Sequence, residues 1–275
     1  MRKKMKNENE KLSSNPIKSN FPVELIYNIG TLIFSIIFVH TIYITLIRPR
    51  AQALITIAEQ KGVSVERVFS VIMKDPEQEL CIILMFWAIF MIGSKIYSII
   101  KQNYIINVDI LGFDNSGKVT KDQAVEALQD IERYKFGLGD SVIIQTLSSS
   151  LRSYITTSNI QNASETLVTA TENIGMRLEA DLSMIRYIVW AIPSIGFIGT
   201  VRGIGQALSQ ADVALAGDIS AMTSSLGVAF NSTFVALLIS ILIMFLLHQI
   251  QRMNDKLVLD AHDYCNKYFI SKVLE

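Results

Sequence analysis

Apolar positions in this chain gather in four long stretches, and most of the polar positions lie between them. A helix needs about 20 mostly apolar residues to cross a bilayer. The stretches of this kind are 25–47, 80–100, 187–208 and 226–247. The third contains Arg202 near one end, where a long cationic side chain can reach the membrane surface. The pattern therefore predicts four transmembrane helices.

The intervening segments carry most of the charges and are expected to lie outside the hydrocarbon. They are a basic tail at 1–24, an outer amphipathic segment at 48–79, a helical domain at 101–186, an outer loop at 209–225 and a helical tail at 248–275. We expect an all-α integral membrane protein, surrounded by lipid, whose helical cytoplasmic domain lies between spans two and three.

Local signals divide the segment 101–186 into three helices. Thr120 and Gln123 have the spacing of a capping box, which predicts a helix from there to about Tyr134. Gly137 and Gly139 are expected to end it, and a second helix is predicted over 140–157. The third is predicted to begin near 162–164 and to run unbroken into the third span, because no Gly or Pro signal intervenes.

The distribution of Lys and Arg near the spans predicts the orientation, because cytoplasmic loops are enriched in these residues. With the N-terminus inside, twelve such residues lie inside and six lie outside. Both termini are therefore expected in the cytoplasm. Arg48 and Arg50 are the main exceptions.

Composition narrows the function classes. Of the 275 residues, 50% are apolar and 18% are charged, and 25 Lys and Arg balance 25 Asp and Glu. Such a chain is not disordered, and without a basic excess it is not expected to bind nucleic acid. Two cysteines and three scattered histidines make no zinc-site spacing, and residues 112–123 lack the terminal ligands of an EF-hand loop. We therefore expect no metal site. The sequence also shows no nucleophile–base set, so we do not expect an enzyme.

Small and hydroxyl residues follow one face of spans three and four. Steps of three or four residues keep such a series on one side of a helix. Span three carries Pro193, Gly196, Gly199, Thr200, Gly203 and Ala207, and span four carries Ser225, Ala229, Ser232, Thr233, Ala236 and Ser240. The stripes allow two interpretations. They can pack helices tightly, as small-xxx-small motifs do, or they can line a narrow polar path.

The predicted spans contain no Asp or Glu. A path for protons or sodium through hydrocarbon usually needs an ionisable or strongly coordinating group. If this chain conducts ions, we therefore expect another polypeptide to supply the carboxylate.

The segment Trp190–Leu208, WAIPSIGFIGTVRGIGQAL, resembles the penultimate span of the MotA/TolQ/ExbB proton-channel family, which has a pattern close to A-P-x-x-G-x-x-G-T-V-x-G-(I/M). Ile192 stands where the family has Ala. The matching residues are Pro193, Gly196, Gly199, Thr200, Val201, Gly203 and Ile204. In the second block, VAFNSTFVALLIS, Ala229, Thr233 and Leu237 match, whereas Phe230, Ser232 and Ala236 are conservative departures. The resemblance covers about 160–250.

The resemblance implies a homo-pentamer around a dimer of a single-span MotB/TolR/ExbD-like partner in the bacterial inner membrane. The partner's helix would supply the ion-binding Asp, and inward flow of H+ or Na+ would drive rotation. Thr200 and Thr233 would face that Asp, with Ser232 as an adjacent hydroxyl. The residues expected to shape and pack the pore helices are Pro193, Gly196, Gly199, Gly203, Ala229 and Ala236.

Two functions therefore remain open from the residues alone. The first is the pore subunit of an ion-driven rotary motor or energiser complex, with no cofactor beyond the transported H+ or Na+. The second is a non-conducting membrane scaffold whose stripes only pack helices. A secondary transporter would show inverted repeats or broken helices, and the sequence shows neither.

Overall fold

The computed structural model describes residues 23–61, 68–106, 111, 113, 119–138 and 141–274. The first 22 residues of the predicted basic tail and part of the EF-hand-like pattern at 112–123 lie outside this range. None of the described residues lies in a strand. The helices are α1 (Val23–Ile42), α2 (Arg48–Lys61), α3 (Phe69–Ile72), α4 (Pro76–Ile106), α5 (Lys121–Leu138), α6 (Val142–Thr157), α7 (Ile160–Ala180), α8 (Ser183–Ser209), α9 (Ala211–Leu215), α10 (Ser220–Cys265) and α11 (Ser271–Leu274).

Among the described residues, four helical segments are long and apolar enough to span a membrane, as the sequence predicts. They are Leu25–Ala58, Pro76–Gln102, Ile160–Ser209 and Ser220–Val273. The first joins α1 to α2 through a π-helical turn at Tyr43–Ile47. The all-helical fold and the count of four candidate spans are thus confirmed, and the protein is a membrane protein.

α1 lies at the edge of the bundle. It packs against α4 through a small cluster formed by Val39, Tyr43 and Ile83. Its other side exposes large apolar side chains, including Ile33 and Ile37. Such a face suits contact with lipid.

α8 and α10 form the most extensive contact between helices, with α4 packed against both. The sequence predicts one helix that runs unbroken into the third span, and this prediction is wrong. α7 ends at Ala180, and α8 begins at Ser183 after a turn at 181–182. Leu182 in this turn is buried. The two helices and the turn between them nevertheless form one candidate span, Ile160–Ser209.

Beyond the predicted spans, α5, α6, α7 and the distal part of α10 form a second packed region. α10 has 46 residues, so it is about 70 Å long and exceeds the ~30 Å of bilayer hydrocarbon.

The capping box is confirmed: the Thr120 backbone N–H donates to Gln123 Oε1 at 2.9 Å. In return, the Gln123 N–H donates to Thr120 Oγ1 at 3.4 Å. α5 extends past the expected end at Tyr134 to Leu138.

Candidate functional site

The antiparallel contact of α8 with α10 is made by small residues that face each other in register. A Cβ placed on Gly196 would lie 2.6 Å from Ala236 Cβ, and one placed on Gly199 would lie 2.5 Å from Ser232 Cβ. On Gly203 it would lie 2.7 Å from both Ala229 Cβ and the Ala229 backbone nitrogen.

Each of these distances is shorter than real carbon–carbon contacts, so a larger residue at the glycines would push the helices apart. The structure therefore brings all five predicted small packing residues of the two stripes together. Gly205, also in α8, has open space where its Cβ would be. The close approach belongs to one face of the helix only.

Pro193 lies inside α8 and lacks the N–H that would donate to the carbonyl of Val189 one turn earlier. The hydroxyl of Ser240 on α10 donates to this carbonyl at 3.2 Å. The acceptor freed by the proline thus has a partner from the neighbouring helix. This is how α8 accommodates a proline at a depth where water is scarce.

The hydroxyls of Thr200 and Thr233 are in direct contact across the two helices. Thr200 Oγ1 lies 3.2 Å from the carbonyl oxygen of Ala229, and Thr233 Oγ1 lies 3.1 Å from that of Gly196. Both side chains are half-buried. A hydroxyl has two lone pairs besides its one proton. The pair can therefore offer oxygen ligands to a cation or hold a water molecule.

Ser232, the third predicted hydroxyl, faces another direction. It is buried, and its Oγ donates to the Val228 carbonyl at 3.0 Å. The Gln78 side chain of α4 donates from Nε2 to the same oxygen at 3.4 Å. The structure thus joins Thr200 to Thr233, whereas Ser232 lies on the side of the contact that faces α4.

Two buried carboxylates at the beginning of α4 were missed by the sequence analysis. The predicted second span begins at residue 80, whereas the helix begins at Pro76, so Glu77 and Glu79 lie in its first turn just outside the predicted span. The signal was present: Pro in the first turn, followed by acidic residues, is typical of a helix start.

Each carboxylate binds a cation from a different helix. Arg202 of α8 donates to Glu77 through Nε at 2.6 Å and Nη2 at 2.7 Å. Glu79 accepts from Arg48 Nη2 at 2.5 Å and lies 2.6 Å from His40 Nδ1. Successive side chains on a helix are about 100° apart, so residues two apart face nearly opposite sides. α4 is thus bound to α8 on one side and to the first helical segment on the other.

Asp75 lies beside this ion-pair cluster, immediately before α4. Burial raises the pKa of its carboxyl above 3.8, and the positive charges of Lys74 and Arg202 oppose the rise. Its Oδ2 is buried with no hydrogen-bond partner in the structure. Within the described ranges, no three His, Cys, Asp or Glu side chains come together in a group that could hold a metal ion.

Comparison with known proteins gives one family match, and the matched region contains Thr200 and Thr233. Residues 139–262 match the model of the MotA/TolQ/ExbB proton channel family, a family of channels rather than enzymes. The match runs through α6, α7 and α8 and most of α10. No curated protein and no solved structure matches the chain significantly. The resemblance found in the sequence is thus confirmed by a family match that covers residues 139–262.

Proposed function

We propose that this protein is the pore-forming subunit of a proton- or sodium-driven energiser complex of the bacterial inner membrane. The observation that carries the proposal is the direct contact of the Thr200 and Thr233 hydroxyls between α8 and α10. This contact lies within the region that matches a proton channel family. Hydroxyl oxygens at membrane depth are suited to pass a cation or a hydrated proton.

The site needs a group that the described part of the chain does not supply beside the two threonines. α8 contains no Asp or Glu, and the first carboxylate of α10 is Asp255, far along the helix. The nearby Glu77 carboxylate is held by Arg202. A single-span partner that carries an Asp would complete the path, because an ion in hydrocarbon needs a charged or strongly coordinating companion.

The surface of α8 and α10 supports a larger assembly. Large apolar side chains point outward from these helices, among them Trp190, Val201, Phe230 and Ile241. In a membrane, lipid, further copies of the chain or a partner helix would cover them. We propose five copies around a dimer of the partner, with both termini and the region of α5–α7 in the cytoplasm.

Flux measurements on hydroxyl variants test the proposal. Thr200→Val and Thr233→Val remove a hydroxyl with little change of shape, whereas Thr→Ser at each position retains it. Thr223→Val is the matched control, because Thr223 is exposed on α10 and, among the described residues, its hydroxyl bonds only to the carbonyl of Ile219, just before the helix. The complex, purified with its co-expressed single-span partner, is placed in proteoliposomes, and proton and sodium uptake are measured.

We expect the two Val variants to lose at least about tenfold in flux, the equivalent of ~1.4 kcal/mol. The Ser variants and the Thr223 control are expected to retain it. Unchanged flux in both Val variants would overturn the assignment of the threonines to the path.

A non-conducting scaffold is the second candidate, and the close glycine contacts of α8 with α10 support it equally well. The mass of the purified assembly and the flux of the unmodified complex separate the two functions. Five copies with two of a single-span partner and a measurable flux favour the energiser. An intact assembly that passes neither H+ nor Na+ favours the scaffold.

A further inference from the structure

The first turn of α4 touches both helices beside the hydroxyl pair. The Cγ of Glu77 would lie 3.1 Å from a Cβ placed on Gly199, which is the position that the Ser232 side chain also crowds. The next residue, Gln78, donates to Ser232 Oγ at 3.4 Å. α4 therefore forms a third wall of the site, one residue along α8 from Thr200.

The ion pair of Glu77 with Arg202 holds this wall in a defined position. The two hydrogen bonds, at 2.6 and 2.7 Å, join both carboxylate oxygens to two nitrogens of the guanidinium. Such a bidentate pair constrains orientation as well as distance. The Glu77 side chain is 10% exposed and that of Arg202 is 35% exposed, so water screens the pair less than it would a surface pair.

Gln78 extends the constraint to Ser232. Its side chain is almost completely buried. Besides Ser232, its Nε2 donates to the backbone carbonyl of Ile72 in α3 at 3.0 Å. The amide is therefore held between two elements, and a shift of the first turn of α4 moves it relative to Ser232.

We propose that Glu77 and Arg202 are a positioning pair for the ion path. By holding the first turn of α4 against the contact of Gly199 with Ser232, they set the spacing of the Thr200 and Thr233 hydroxyls that receive the cation. This inference rests on the proposed function. It assigns to the start of α4, which lies outside the region matched to the family, a role in the affinity of the site.

The test measures flux against cation concentration in the assembled complex, so that the half-saturating concentration is separated from the maximal rate. Glu77→Gln keeps the size of the side chain and removes the charge. Partners that orient the ligands of a metal ion typically change its affinity by about 10- to 100-fold when mutated. We expect Glu77→Gln to raise the half-saturating concentration of H+ or Na+ about tenfold with the mass of the assembly unchanged.

Two further variants separate positioning from general stability. The double variant Glu77→Arg with Arg202→Glu re-forms the pair in reverse, and we expect it to recover most of the lost affinity. Glu79→Gln breaks the other ion pair of the same helical turn, which faces Arg48 and His40. It is expected to leave the half-saturating concentration within about twofold, because a group that does not orient the ligands has little effect on affinity.

Several results would overturn the inference. They are an unchanged half-saturating concentration in Glu77→Gln, an equal change in Glu79→Gln, or no recovery in the reversed pair. If Glu77→Gln does not assemble, Glu77→Asp keeps the charge but shortens the reach, and an unchanged affinity in that variant would also overturn it. A wild-type complex without flux would instead overturn the proposed function itself, and this inference with it.

Discussion

Gly203 of α8 lies directly against Ala229 of α10. A Cβ on Gly203 would meet the side chain of Ala229 at 2.7 Å and its Cα at 2.8 Å. Because the Ala229 Cα and the Ala229 backbone nitrogen, also at 2.7 Å, both belong to the backbone, rotation of a side chain cannot relieve the overlap. The distance between the two helices at this level therefore depends on the absence of a side chain at position 203.

Gly203→Ala is accordingly expected to destabilise the protein. Overpacking of a close contact costs about 1–3 kcal/mol, and we expect a lower midpoint of thermal unfolding in detergent. Gly205→Ala is the matched control: it lies in the same helix with open space at the Cβ position. Alanine favours a helix by about 1 kcal/mol over glycine, so this variant is expected to be neutral or more stable. Equal losses in both variants would contradict the role of the contact.

The hydrogen bond from Ser240 to the Val189 carbonyl predicts a coupling with Pro193. Ser240→Ala leaves a buried carbonyl without a partner, and such a loss costs about 1–3 kcal/mol. In a Pro193→Ala background, the restored N–H can donate to the same carbonyl. Ser240→Ala should then cost less.

A double-mutant cycle on the free energy of unfolding measures this coupling. Ser194→Ala serves as a control, because Ser194 is exposed and its hydroxyl bonds, within the part of the chain that the structure describes, only to the Trp190 carbonyl of its own helix. Additive effects of Pro193→Ala and Ser240→Ala would show that the serine does not replace the missing N–H.

The raised pKa of Asp75 predicts how stability depends on pH. Because the folded state holds the proton more tightly than the unfolded state, stability declines as pH rises from the ordinary value of 3.8 through the raised pKa. Asp75→Asn keeps the size of the side chain and removes this dependence, because the amide does not titrate. The variant is expected to unfold at a higher temperature than the parent at neutral pH, and the difference should vanish below pH 3.8.

Asp218 is a control because its pKa is shifted in the opposite direction from that of Asp75. Its Oδ1 accepts hydrogen bonds from the backbone N–H of Ser220 at 3.0 Å and from the Ser220 hydroxyl at 2.6 Å. These bonds lower the pKa of Asp218, so its stabilisation is present above the ordinary value and is lost as pH falls. Asp218→Asn is therefore expected to lower the unfolding temperature at neutral pH. The same direction of change in both variants would contradict the two assignments.

Removing the capping box at the start of α5 is expected to reduce the protection of nearby amides from hydrogen exchange. Replacing an N-cap residue with alanine typically costs about 0.5–2 kcal/mol. Thr120→Ala is expected to speed amide hydrogen exchange in the first turn of α5, whereas exchange in α8 should not change. Thr156→Ala is a suitable control, because Thr156 is exposed and its hydroxyl, among the residues described, bonds only to the Arg152 carbonyl within α6. Unchanged exchange in Thr120→Ala would show that the box does not hold the helix start.

The features that depend on residues close together in the chain were predictable from the sequence. The four apolar stretches, the capping box of Thr120 with Gln123, and the small-residue stripes of spans three and four all depend on periodicity or spacing within one segment. Hydrophobic length determines which segments can cross a membrane, because the bilayer sets that length. The glycine and threonine pattern likewise carries the resemblance to the family whose model matches residues 139–262.

The pairing of distant residues was decided by the tertiary structure alone. Spacing places Gly199 and Ser232 on their stripes, but the register of α8 against α10 sets them opposite each other. It also turns Ser232 towards α4 and away from the two threonines. The ion pair of Glu77 with Arg202 joins residues 125 positions apart. No local period encodes such a contact, because it exists only after three helices have packed and excluded water around the two charges.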